Sequence, residues 1–87
     1  MKVKELINLL YKQNPEHMVY VNGYEGGVNE VKSIYPCKVL LDYNNDWYMG
    51  KHEMFETNGK CFLDEKYREG YEQAHGVYIS SDKTGEI

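Results

Sequence analysis

The chain has a single arginine, Arg68, among its 87 residues. An arginine-rich clamp for phosphate is therefore excluded. Cations are scarce overall: ten lysines and arginines stand against fourteen aspartates and glutamates, for a formal charge of −4. That balance excludes a duplex DNA binder that works by neutralising phosphates. The two cysteines, Cys37 and Cys61, lie far apart with no CxxC spacing. No apolar run approaches the roughly 20 residues of a membrane-spanning helix. The opening Met1-Lys2 leads into an amphipathic pattern, without the apolar core of a signal peptide. The expectation is a cytoplasmic chain with both thiols reduced and no membrane partner.

Tyrosine is what the chain has in plenty. There are nine, with Trp47, Phe55 and Phe62 beside them. A tyrosine offers a stacking face and a polar tip, which suits half-buried strands, interfaces and ligand walls alike. A chain this short buries only roughly 60–65% of its unfolded surface, so a homo-oligomer is expected.

The patterning predicts an α+β fold: an N-terminal amphipathic helix packed on a small, mainly antiparallel sheet of four to five strands. Val3, Leu6, Ile7, Leu10 and Tyr11 recur at helical spacing, with Lys2, Lys4, Glu5, Asn8 and Lys12 on the other face. This predicts a helix from about Lys2 to Gln13. Asn14-Pro15 stops it, because the residue before proline disfavours the α region. His17 to Asn22 reads as the first strand and Val28 to Tyr35 as the second. Pro36 is expected to interrupt that strand, as at an edge or a bulge. Cys37 to Asp42 reads as a third extended piece, followed by a loop from Tyr43 to Glu53.

Met54–Thr57 and Lys60–Leu63 flank Asn58-Gly59, a strong two-residue hairpin signal. Asp64 to Gln73 is highly charged and allows a second short helix, with Asp64 as its cap. Val77 to Ser80 reads as the last strand. Residues 1–80 are thus expected to form a single α+β domain, followed by a polar tail, 81–87, with little reason to be ordered.

Three stretches could carry chemistry. In Val19-Tyr20-Val21-Asn22-Gly23-Tyr24-Glu25-Gly26-Gly27 a strand breaks into a turn with three glycines. Uncovered backbone N–H groups there could hold an anion, or the glycines could simply supply positive φ in a wide hairpin loop. Neither a P-loop nor a dinucleotide fingerprint is present. The second stretch runs from Asp42 to Glu53. Asp42, Asn44, Asp46, Tyr48 and Glu53 fall at the ligand positions of a calcium loop, but Trp47 stands where glycine is needed and a strand, not a helix, precedes it. The alternative is a solvated acidic loop anchored by Trp47 and Tyr48. The third is His52 beside Glu53, a base and its orienter with no obvious nucleophile. Cys37, Cys61, His52 and His75 show no recognised zinc spacing. No cofactor, no metal and no catalytic residue is expected.

The helix, Asn14-Pro15 and the Val-Tyr-Val-Asn-Gly-Tyr-Glu-Gly-Gly turn resemble a group of small uncharacterised proteins of tailed bacteriophages. Leu41-Asp42, Trp47-Tyr48, Gly50 and His52-Glu53 resemble the second signature of that group. The likeness covers about the first two-thirds of the chain and leaves Asn58 to Gln73 unplaced. It implies a phage accessory product, in the host cytoplasm, that acts on a host system by binding.

Two readings follow. In the first, the chain is a non-enzymatic sponge that sequesters a small nucleotide-like ligand, such as an immune signal, for counter-defence. Tyr24, Trp47 or Tyr48 would stack on a base. Backbone amides from Tyr24 through Glu25 and Gly26 to Gly27, with the Lys51 ammonium, would hold phosphate. Glu25, Asp42, Asn44 and Glu53, with His52 alongside, would meet ribose hydroxyls or base amino groups. This requires the turn and the tryptophan loop to wall one recess. In the second, an acidic and aromatic face docks on a host enzyme and inhibits it. A concave cluster of Tyr24, Trp47 and Tyr48 around the glycine turn favours the first reading; a flat apolar patch rimmed by carboxylates favours the second.

Overall fold

A computed structural model describes residues 1–81. In it, helix α1 (Val3–Tyr11) precedes a hairpin of β1 (Tyr20–Asn22) and β2 (Val28–Glu30). Then come β3 (Ser33–Leu40), β4 (Glu53–Thr57), β5 (Lys60–Cys61), a single turn of helix α2 (Glu65–Arg68) and β6 (Gln73–Ser80). The architecture is α+β and every strand pairing is antiparallel. There are two sheets, not one: β1–β2 alone, and a four-stranded sheet in the order β5-β4-β3-β6. Of the tail expected at 81–87, all but Ser81 lies outside the described residues.

Local chemistry sets most boundaries. At the start of α1 the Glu5 carboxylate accepts from the Lys2 backbone N–H at 2.8 Å, satisfying a donor that the helix leaves open. At its end Asn14 Oδ1 accepts from the Glu16 N–H at 2.9 Å. That side-chain turn, with Pro15 inside it, stops the helix at Tyr11, two residues short of the predicted Gln13. Asn58 (φ 51°) and Gly59 (φ 80°) both occupy the left-handed region, and Thr57 pairs with Lys60 across them. This is the tight hairpin that the dipeptide predicts.

Several expected segments differ: among them, the extended piece expected at Cys37 to Asp42 is the second half of β3 and ends at Leu40, and the last strand begins at Gln73, not Val77. The first strand begins at Tyr20, not His17, because only Tyr20–Asn22 have a partner strand, Val28–Glu30. The second ends at Glu30, and β3 starts afresh at Ser33 in the other sheet. Pro36 does not interrupt β3. The bond from the Asn58 N–H to the Pro36 carbonyl, 3.0 Å, shows that Pro36 turns its backbone toward β4, just past the last β4 pair at Thr57. There it serves as an acceptor only, so its missing N–H removes no ladder bond. Finally, the predicted helix from Asp64 to Gln73 shrinks to Glu65–Arg68. Gly70 takes φ 83°, which ends helical geometry, and Gln73 is already the first residue of β6.

The core is thin. Antiparallel partners share a face, and the pairs Tyr35–Tyr78 and Cys37–Thr57 put those four side chains on one side of the sheet. Tyr35, Cys37, Leu40 and Phe55 are the buried apolar residues, with Phe55 only 1% exposed. Phe55 sits at a bulge, since β4 advances two residues against one of β3 between Lys38 and Val39. The Arg68 guanidinium from α2 lies over its ring, 5.4 Å from the centroid. The opposite face, carrying Ile34, Val77 and Ile79, meets α1 only loosely. Their side chains and those of Leu6, Ile7 and Leu10 line a groove of about 640 Å³, and no α1 residue is buried.

The thiols divide accordingly. Cys37 is buried, and burial raises its pKa, so it resists ionisation to the reactive thiolate. Cys61 is exposed. Alkylation of the native protein is expected to label Cys61 alone, with Cys37 following only after denaturation; peptide mass spectrometry reads this directly. No helix among the described residues is long and apolar enough to cross a membrane.

Candidate functional site

The loop between β3 and β4, residues 42–52, is stitched at its neck and bare at its tip. Asp42 takes φ 55°, and its N–H donates to His52 Nδ1 at 2.9 Å. The His52 ring is thereby an acceptor at Nδ1 and carries its proton on Nε2. Asn44 is the central stitch. Its N–H donates to the Lys51 carbonyl at 3.1 Å, and its side-chain amide to the Gly50 carbonyl at 2.9 Å and to Glu53 Oε1 at 3.1 Å. Lys51 Nζ lies 3.2 Å from Asp42 Oδ1. The Tyr43 ring packs on Tyr71, centroids 4.7 Å apart, which ties the neck to the segment before β6.

Above this neck the Met49 N–H donates to the Asp46 carbonyl at 3.1 Å, turning the chain back. The turn projects Trp47 and Tyr48, whose rings meet edge to face at 5.8 Å. Trp47 is 94% exposed, and Tyr48 and Met49 are exposed beside it. Asp46 sits at the same tip, 3.4 Å from the Tyr48 hydroxyl. An ordered loop thus holds an apolar cluster out in water, with carboxylates at its base.

The side-chain amide of Asn44 makes two of these bonds, each contributing about 1 kcal/mol. Asn44→Ala is expected to speed hydrogen exchange at the amides of Asn44 and Met49 while leaving the β3–β6 ladder protected. Unchanged exchange in the loop would show that its order comes from elsewhere.

The glycine turn is a separate, smaller device. The Gly23 N–H donates to the Gly27 carbonyl at 3.0 Å, closing the hairpin over Tyr24, Glu25 and Gly26. A Cβ at Gly23 would stand 2.6 Å from the Gly26 carbonyl oxygen, so only glycine fits there. Glu25 itself takes φ 62°. Tyr24 projects from the turn, 92% exposed. A shallow depression beside the hairpin, near Tyr20, Glu30 and Lys32, contains none of the expected ligand residues.

The expected residues therefore fall into two groups. Asp42, Asn44, Trp47, Tyr48, Lys51, His52 and Glu53 share one loop; Tyr24, Glu25, Gly26 and Gly27 share the other. No hydrogen bond, ion pair or ring contact joins the groups. Their roots lie at opposite ends of β3, Ser33 and Leu40, separated by about 23 Å at the rise of a strand. The contacts within one copy thus do not bring the two groups together. Nor does the loop present a cation cage: Asn44 gives its amide to Glu53, Asp42 faces Lys51, and no group of three His, Cys, Asp or Glu among the described residues could hold a metal ion.

Sequence reasoning passed over two features. Met49 extends the apolar tip, and the groove between α1 and β6 leaves the helix stripe uncovered. The signal for the second was in the strand itself, since Val77-Tyr78-Ile79 is apolar at every position. In comparisons with known proteins, the chain matches no protein-family model, no curated protein and no solved structure.

Proposed function

We propose that this chain is a non-enzymatic docking module whose loop tip, Trp47 with Tyr48 and Met49, enters an apolar pocket of a partner protein. The observation that carries this reading is the 94% exposure of Trp47 on a loop whose neck is held by side-chain hydrogen bonds. Burying a tryptophan removes about 150–250 Å² from water, a gross gain near 4–6 kcal/mol at ~25 cal/mol per Å². A stitched loop loses little entropy on binding, so more of that gain survives as affinity. Asp46, Asp42 and Glu53 around the tip, on a chain of net charge −4, suit a pocket rimmed by lysine and arginine. On the resemblance to phage proteins, the partner is a host enzyme and docking inhibits it.

The second reading, sequestration of a small nucleotide-like ligand, needs Tyr24 and Trp47 to face one another across a recess. Within one copy both rings stand outward, so it draws less support. The test is affinity capture with the wild-type chain and with Trp47→Ala as baits. A partner retained by the first and lost from the second supports docking through the loop. Equal capture by both baits overturns it.

A further inference from the structure

The molecule exposes more surface than its size calls for. Its accessible surface is 7513 Å² for 10.2 kDa. A compact monomer of that mass exposes about 5,300 Å². The excess is larger than the ~800 Å² that each partner contributes to a standard interface. The radius of gyration points the same way: 14.7 Å, against about 12 Å for a compact chain of this length.

The uncovered surface has a place. Among the described residues β6 pairs with β3 alone, so no strand lies along the other edge of Gln73 to Ile79. Open edges are normally blunted by charge, proline, a bulge or brevity. Gln73-Ala74-His75-Gly76-Val77-Tyr78-Ile79-Ser80 has no lysine, arginine, acid or proline, and its pairing with β3 runs without a register shift. The sheet's other outer strand, β5, is two residues long. The bond from the Leu41 N–H to the Glu72 carbonyl, 2.8 Å, fixes which residues of β6 face β3. Counting by twos, Gly76 and Tyr78 face it, while Gln73, His75, Val77 and Ile79 turn their N–H and C=O groups outward. The side chains of His75, Val77 and Ile79 line the groove left open by α1.

We propose that a second copy of this chain occupies this edge, with β6 pairing antiparallel to the partner's β6 about a two-fold axis at Gly76. That register sets Gln73 opposite the partner's Ile79 and His75 opposite the partner's Val77, so all four outward residues form hydrogen-bonded pairs. Gly76 meets its own counterpart at the closer of the two antiparallel spacings, about 4.5 Å between Cα atoms. Within one copy nothing demands glycine there: its φ is not positive, and a Cβ would make only ordinary contact with Cys37 Sγ at 3.5 Å. A glycine inside a strand often marks close approach of another backbone.

The axis stands perpendicular to the sheet and puts both α1 helices on one face, where their exposed stripes cover one another. The contact is self-complementary, as a two-fold interface must be. It also reverses the partner's sheet, so the tryptophan loop of one copy lies at the same end as the glycine hairpin of the other.

Sedimentation equilibrium of the full chain tests the pairing, with hydrogen exchange on the same samples. The expected mass is twice 10.2 kDa for wild type and the monomer value for Val77→Lys, with Val77→Thr still paired. In wild type the amides of His75, Val77 and Ile79 should lose protection on dilution, while those of Gly76 and Tyr78, bonded to β3, keep it. The exchange pattern stands as a test even if Val77→Lys fails to fold. A wild-type monomer at every concentration overturns the proposal. So does a dimer that a folded Val77→Lys leaves intact, or one in which the outward amides exchange freely.

Discussion

Phe55→Ala is expected to unfold the chain at ordinary temperatures. The ring is 1% exposed, and among the described residues only Tyr35, Cys37 and Leu40 are buried with it as apolar side chains. Removing a buried phenylalanine costs about 3–5 kcal/mol. A chain of this length has a total stability of roughly 4–13 kcal/mol, and a thin core places it at the lower end. The substitution also takes the surface from under Arg68, whose Nε is shielded from water without a hydrogen-bond partner. Far-UV circular dichroism against urea measures the effect, with Phe55→Leu as the milder control. A melting point within a few degrees of wild type would show that the chain's stability does not reside around β3 and β4.

Trp47→Ala is expected to do the opposite: no change in melting, and a loss of partner affinity of about 2–4 kcal/mol, or roughly 30- to 1,000-fold. The ring touches little of its own chain beyond Tyr48, so its removal leaves the fold alone. At an interface the same ring would be the largest apolar group delivered to the partner. Tyr24→Ala provides the contrast. It belongs to the other loop, so docking through Trp47 predicts an affinity near wild type. An equal loss from both substitutions, measured by calorimetry against the captured partner, would mean that the hairpin and the loop act on one ligand after all.

Short-range features of this fold could be read from the residues, because their causes are local. Asn58-Gly59 supplies two positive φ angles, and the bend follows. Asn14-Pro15 ends α1 through a side-chain turn that needs nothing distant. The misreadings arise where a distant partner decides. Whether Pro36 breaks a strand depends on which neighbour it faces, and that is set by the register of β4 some twenty residues later. The charge before Gln73 predicts a helix that reaches it; pairing with Leu40 makes it strand. The same holds for the site. Membership of each loop was legible, since Asp42 to Glu53 is contiguous. The distance between the loops was not, because it is set by the length of β3 and by how the two sheets divide the strands.

Pro36 has one more effect, which concerns when assembly stops. A sheet with two pairing-competent borders can add copies without end and grow into a fibre. Here the β5 border is too short to template a neighbour. Beyond Thr57, where β3 is no longer flanked by β4, a ring nitrogen without hydrogen takes the place of a donor. Recruitment through the four-stranded sheet is thereby confined to the side of β6, and a pair formed there leaves that sheet no long border from which to extend.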